Sequence, residues 1–129
     1  MARPRNEELP RPTIMLARNE RISDHQLVPL LLGLEEQGVP VEQFSAEELN
    51  PLALAHEASL RSVLGVGIGV SLDYVVVTTD KLPAGRPYLA EWFNRSAEVD
   101  RTLGGNAARI VKRLPLAHVP IAFRDRREA

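Results

Sequence analysis

The stretch SVLGVGIGVSLDYVVVTTD, residues 62–80, decides the fold. Two apolar runs, Ser62–Val70 and Tyr74–Thr79, flank the connection Ser71-Leu72-Asp73. β-Branched residues suit a pleated, half-buried surface. A connection this short suits a hairpin, so the two strands are expected to run antiparallel. Gly65, Gly67 and Gly69 alternate along the first run and would share one face by the period of two. Phosphate binding by a GxGxxG fingerprint needs the glycines at a strand-to-helix turn. Here they lead into another strand, so they are read as places where a helix or a neighbouring backbone packs closely.

Working outward, PTIMLA predicts a strand at Thr13–Ala17, followed by a turn in NERISD. Leu27, Leu30, Leu31 and Leu34 then recur at i, i+3, i+4 and i+7, which predicts a helix reaching about Gln37. Pro29 fits only a first turn, so the helix should start near Gln26 or Val28. Gly38 suits the position after its end. Val39–Phe44 is a second strand. Asn50-Pro51 reads as a cap followed by proline at the first helical position. The helix it opens, Leu52–Leu60, should bury Leu52, Ala55 and Leu60. Residues 80–96 form a Pro/Gly-bearing loop with a short strand or turn near Tyr88–Phe93. A last helix at Val99–Arg113 carries the stripe Leu103, Ala107, Ile110, Val111 and Leu114, and Pro115 ends it. The order β-α-β-α-β-β-α predicts an α/β fold: a single small domain, with a mixed, mostly parallel sheet of about four strands and flanking helices. The domain should span 13–121, between a loose arm at 1–12 and a loose tail at 122–129.

Composition narrows the function. The 129 residues are 44% hydrophobic and 26% charged with a net charge of −1, which suits one globular domain. There is no basic excess for non-specific nucleic-acid binding. No apolar run approaches the ~20 residues needed to span a bilayer. With no cysteine, thiolate nucleophiles and Cys-based zinc sites are excluded, and a reducing cytoplasm is the expected setting. His25, His56 and His118 are scattered, and no HExxH, GxSxG or Walker A pattern occurs. No catalytic constellation can be assembled, so the chain is not expected to be an enzyme.

Two places carry locally unfavourable choices. With the leucine stripe facing inward, Glu36 points away from the core and Glu35 lies on the flank. Both acids sit at the negative end of the helix dipole, with no Lys or Arg in that turn to offset them. The last helix contains Gly104-Gly105-Asn106, and glycine within a helix costs about 1 kcal/mol relative to alanine. A helix keeps such glycines where another backbone comes close, either its own sheet or a partner. Arg109 and Lys112 project away from the core stripe.

Taken together, G-L-E-E-x-G-V-P (33–40), V-G-I before the hairpin, K-L-P-A after it, and R-x-x-G-x-N-A-A-R-x-V-K (101–112) resemble one family. It is the small subunit of diol and glycerol dehydratase reactivating factors. The similarity runs from about Thr13 to Leu116, with divergence at 18–28 and 41–60. The resemblance implies a fold like the medium subunit of the dehydratase and a partnership with a large, actin-like ATPase subunit. It implies subunit exchange, in which the large subunit grips the dehydratase and damaged cobalamin is released. Mg2+ and ADP or ATP would belong to that large subunit, with no cofactor held by this chain. The G-[IL]-E-E motif would make Glu36 a carboxylate reaching a magnesium ion across the interface, and a hard cation wants oxygen ligands. Glu35, Glu36, Gly105, Asn106, Arg109 and Lys112 form the expected interface set. Left uncovered, such a face is a candidate for self-association. Competing readings are the medium subunit of the dehydratase itself and a free-standing small-molecule-binding domain. Encapsulation in a bacterial microcompartment and the identity of the diol stay open.

Overall fold

The computed structural model describes residues 12–118. The expected tail and, apart from Pro12, the expected arm lie outside them. Eight elements follow one another: β1 (Ile14–Asn19), α1 (Asp24–Glu36), β2 (Val41–Ala46), α2 (Pro51–Arg61), β3 (Val66–Ser71), β4 (Tyr74–Thr79), β5 (Leu89–Trp92) and α3 (Ala97–Lys112). The strands form one sheet in the order β2-β1-β3-β4-β5. β1 pairs parallel with both β2 and β3, whereas β3-β4 and β4-β5 are antiparallel. The hairpin expected from residues 62–80 is present. The sheet has one strand more than expected, because Leu89–Trp92 pairs with β4 from within the Pro/Gly-bearing loop. Parallel and antiparallel pairs are thus evenly divided.

β3 lies mid-sheet with all six residues buried. Its two faces differ in kind. Val66, Ile68 and Val70 join Leu27, Leu30, Leu34, Leu103 and Ala107 in the main core, which α1 and α3 cover. On the other face, Ala17, Leu54 and Ala58 form a smaller cluster beneath α2. A Cβ at Gly67 would come within 2.2 Å of the Ser59 backbone nitrogen, and one at Gly69 within 2.5 Å of Ala55 N. These two glycines let α2 lie directly on β3. Gly65 does not share their face. It precedes the strand with φ +76°, a conformation glycine adopts without steric cost.

Three helix expectations need correction. α1 begins at Asp24, because Ser23 and Gln26 form a reciprocal capping box: the Ser23 hydroxyl accepts from Gln26 N–H at 3.2 Å and the Gln26 side chain accepts from Ser23 N–H at 2.9 Å. Pro29 therefore lies inside the helix. In α2 the Asn50 cap and Pro51 are as expected, but Leu52 is only half-buried and Leu60 is 62% exposed. The small-residue face of Ala55, Ala58 and Ser59 meets β3 instead. Arg113 adopts a left-handed conformation and ends α3, which leaves Leu114 outside the core stripe and exposed.

Candidate functional site

The residues of interest converge where α3 crosses the end of α1. Gly33 sets the crossing. A Cβ there would lie 2.0 Å from the Arg101 carbonyl oxygen, so the α3 backbone presses onto α1 one turn before Glu36. Gly104 does the same in the other direction, its missing Cβ lying 2.0 Å from the Leu30 carbonyl oxygen. The close neighbour of this glycine is thus α1, neither the sheet nor a partner. Gly105 differs: the nearest atom to its would-be Cβ is 3.8 Å away. It opens into a cleft of about 290 Å³ bordered by Gly33, Glu36, Arg101, Gly105, Arg109 and Ala117.

Glu36 is exposed at the rim, as the leucine stripe required; Glu35 is exposed too but does not border the cleft. Glu36 is not without a counter-ion, however. Arg101 Nε donates to its Oε1 at 2.9 Å, and Arg101 Nη2 contacts its Oε2. The hydrogen bond from Arg101 holds the Glu36 carboxyl below the usual range against the opposing effect of desolvation, and the Arg101 charge adds a lesser lowering. The same pairing raises Arg101. The expectation of an uncompensated acid is corrected here, since the offsetting cation comes from α3. Among the described residues no group of three or more His, Cys, Asp or Glu side chains could hold a metal ion. One exposed carboxylate fits the role of a single oxygen ligand to a hard cation whose other ligands lie elsewhere.

The remaining members of the expected interface set divide. Asn106 is 2% exposed and is consumed by its own chain. Its Oδ1 accepts from Ala117 N–H at 2.7 Å and its Nδ2 donates to Ala117 O at 3.1 Å. That two-point clamp folds residues 114–117 back along α3. Asn106 therefore positions a wall of the cleft and is not free to contact a partner. Arg109 Nη1 donates to Pro115 O at 3.0 Å and supports the same strap. Lys112 is exposed and reaches the Gln37 side chain at 3.4 Å. Arg101 and the strap carried no assigned role from sequence. A signal for Arg101 existed, because positions 101, 105 and 109 recur at i, i+4 and i+8 on one helical face.

Two other polar features are built into the fold. Ligands of α/β proteins usually sit beyond the carboxyl ends of the parallel strands. Here Asn19, 2% exposed, donates from Nδ2 to Glu48 O at 2.8 Å and Glu47 O at 3.2 Å and accepts from Arg21 N–H at 2.9 Å. Ser71 Oγ donates to Leu49 O at 2.7 Å. The 46–50 loop is thereby tied to the carboxyl ends of β1 and β3. Asp100, near the start of α3, is 1% exposed and accepts the Asn94 N–H at 3.1 and 3.2 Å. Burial pushes its carboxyl up to about 6, against the lowering effect of that N–H.

Residues 11–117 match the family described as dehydratase medium subunit. The propanediol dehydratase-reactivating factor small subunit of Citrobacter freundii is 35% identical over 86 residues, covering 67% of this chain and 74% of that one. The diol dehydratase-reactivating factor small subunit of Klebsiella michiganensis is 35% identical over 88 residues, covering 67% of this chain and 69% of that one. Among solved structures, a glycerol dehydratase reactivase superposes with a TM-score of 0.79 at 34% identity, covering 85% of this chain and 100% of its own. A diol dehydratase-reactivating factor complexed with ADP and Mg2+ gives 0.78 at 30% identity, covering 84% and 99%. The chain belongs to the dehydratase medium-subunit family, alongside the small subunits of diol and glycerol dehydratase-reactivating factors.

Proposed function

We propose that this chain is the non-catalytic small subunit of a reactivating factor serving a B12-dependent diol or glycerol dehydratase in the cytoplasm. Its partner is an actin-like ATPase large subunit. The pair acts by subunit exchange: this chain leaves, the large subunit takes hold of the dehydratase, and damaged cobalamin escapes. The observation that carries the reading is the exposed Glu36 carboxylate on the rim of the α1–α3 cleft. It is one oxygen ligand offered outward by a surface with no metal cluster of its own among the described residues. The relatives named above are reactivating-factor small subunits, and one solved relative is a complex with ADP and Mg2+. The loop bonded to Asn19 occupies the end of β1 and weighs against a ligand seated at that point.

In this reading Mg2+ and nucleotide are held by the large subunit, and magnesium there supplies charge neutralisation for the nucleotide phosphates. Glu36 contributes a single carboxylate from across the interface, the exposed Glu35 and Lys112 lie on the surface outside the cleft, and Gly105 lets the partner approach the α3 backbone. Co-expression with the cognate large subunit followed by size-exclusion chromatography tests the reading. Co-elution with MgADP is expected, and Glu36→Ala should weaken it and lower the bound magnesium while the subunit stays folded. Failure to co-elute with or without ADP would reject the partnership. The medium-subunit alternative, favoured only by the family description, predicts corrinoid binding together with a dehydratase large subunit.

A further inference from the structure

Both oxygens of the Glu36 carboxylate are occupied from within the chain. Arg101 grips Oε1 through Nε and Oε2 through Nη2, the fork-on-fork arrangement that matches guanidinium to carboxylate. That is the edge of the carboxylate a cation would take most readily. We propose that Arg101 gates Glu36: it holds the carboxylate in the uncombined subunit and surrenders it to a divalent cation when the subunits join. The proposal rests on the reading of Glu36 as a ligand given above.

Three features favour exchange over a permanent pair. Both side chains are about half exposed, 53% for Arg101 and 42% for Glu36, and exposed pairs are screened and weakly held. Separation is therefore easy. Glu36 is also the last residue of α1, where the helix dipole disfavours negative charge. A Glu36 that loses Arg101 gains from meeting another cation, so exchange is favoured over simple release. Finally, the Arg101 backbone is pinned against Gly33, so the guanidinium can swing aside without leaving the cleft. Among the described residues no other cation near the cleft replaces it. Arg109 is turned to the Pro115 carbonyl, and Lys112 reaches Gln37.

The opposite role is a fixed orienting residue that stays on Glu36 while metal binds. Variants of the full chain distinguish the two, with Mn2+ as a paramagnetic probe read by broadening of the Gln37 and Gly38 amide signals. The gate predicts that Arg101→Gln shows equal broadening at about two- to fivefold lower Mn2+ than the unaltered chain, the range expected for loss of an exposed pair. Arg101→Lys should lie between them, since lysine cannot make the two-point grip. Arg101→Gln combined with Glu36→Gln should return to the behaviour of Glu36→Gln alone, which separates Glu36 from Glu35. Equal or weaker broadening in Arg101→Gln, or none in any variant, would overturn the gate. With the large subunit, the Mg2+ needed for half-maximal complex formation should fall by the same factor. Absence of complex in every variant would count against the proposed function, while the Mn2+ measurement still decides Arg101.

Discussion

A Cβ on Gly104 would lie 2.0 Å from the carbonyl oxygen of Leu30, closer than a side-chain carbon can approach. Gly33 stands in the same relation to the Arg101 carbonyl oxygen. Each contact is backbone against backbone, so neither neighbour can rotate away. Gly104→Ala and Gly33→Ala should each destabilise the fold by about 3 kcal/mol or more, by forcing α1 and α3 apart. Urea denaturation measures this. A loss below about 1 kcal/mol would mean that the helices slide without cost.

Gly105→Ala should do the reverse. Its Cβ would meet nothing nearer than 3.8 Å, and alanine is the better helix former by about 1 kcal/mol. The isolated subunit should gain stability of that order while its complex with the large subunit weakens, since the methyl projects into the cleft. A binding titration beside thermal unfolding checks both halves. Unchanged affinity would remove Gly105 from the interface.

Asn106→Ala should release the strap. Removing the side chain leaves the Ala117 N–H and C=O without their partners. The expected cost is about 1–3 kcal/mol. Amide exchange at Ala117 should accelerate well beyond the change seen in α2. Equal exchange rates in both forms would show the strap is held by other contacts.

Asp100 should give the stability a pH dependence. Its carboxyl is raised from 3.8 to about 6 in the folded chain, chiefly by burial. Between about pH 4 and pH 6 the unfolded chain has lost a proton that the folded chain keeps. Stability from this group therefore falls as pH rises through that window, by up to about 3 kcal/mol, and levels off above it. Asp100 borders a surface cavity together with His25 and Arg95, so the comparison must keep both. Asp100→Asn retains an acceptor for the Asn94 N–H and removes the titration. The variant should gain on the unaltered chain between pH 4.5 and pH 7.5 in denaturant titrations. Parallel curves would assign the slope to other groups.

The hairpin and the caps at Asn50 and Gly38 were legible because each rests on local chemistry. β5 was harder to read. Its four residues follow a Pro/Gly-bearing stretch and gain strand geometry only by pairing with β4. The burial of α2 misled for a related reason. Periodicity finds the largest apolar residues, yet this helix meets glycines and therefore buries Ala55, Ala58 and Ser59 beside Leu54, leaving Leu60 outside. Glu36 could be placed outward from one helix alone. Arg101 lies 65 residues away, and only the α1–α3 crossing brings it near. Asn106 looked available because its helix position said nothing of the chain that returns to it after Arg113.

The amide of Asn19 also bears on how this protein could be interfered with. An inhibitor aimed at the mouth where comparable scaffolds take their ligands would first have to pull Glu47 and Glu48 off that side chain. Compounds or peptides meant to block it would do better against the helical surface bearing Glu36, where the competitor is a single solvent-facing arginine.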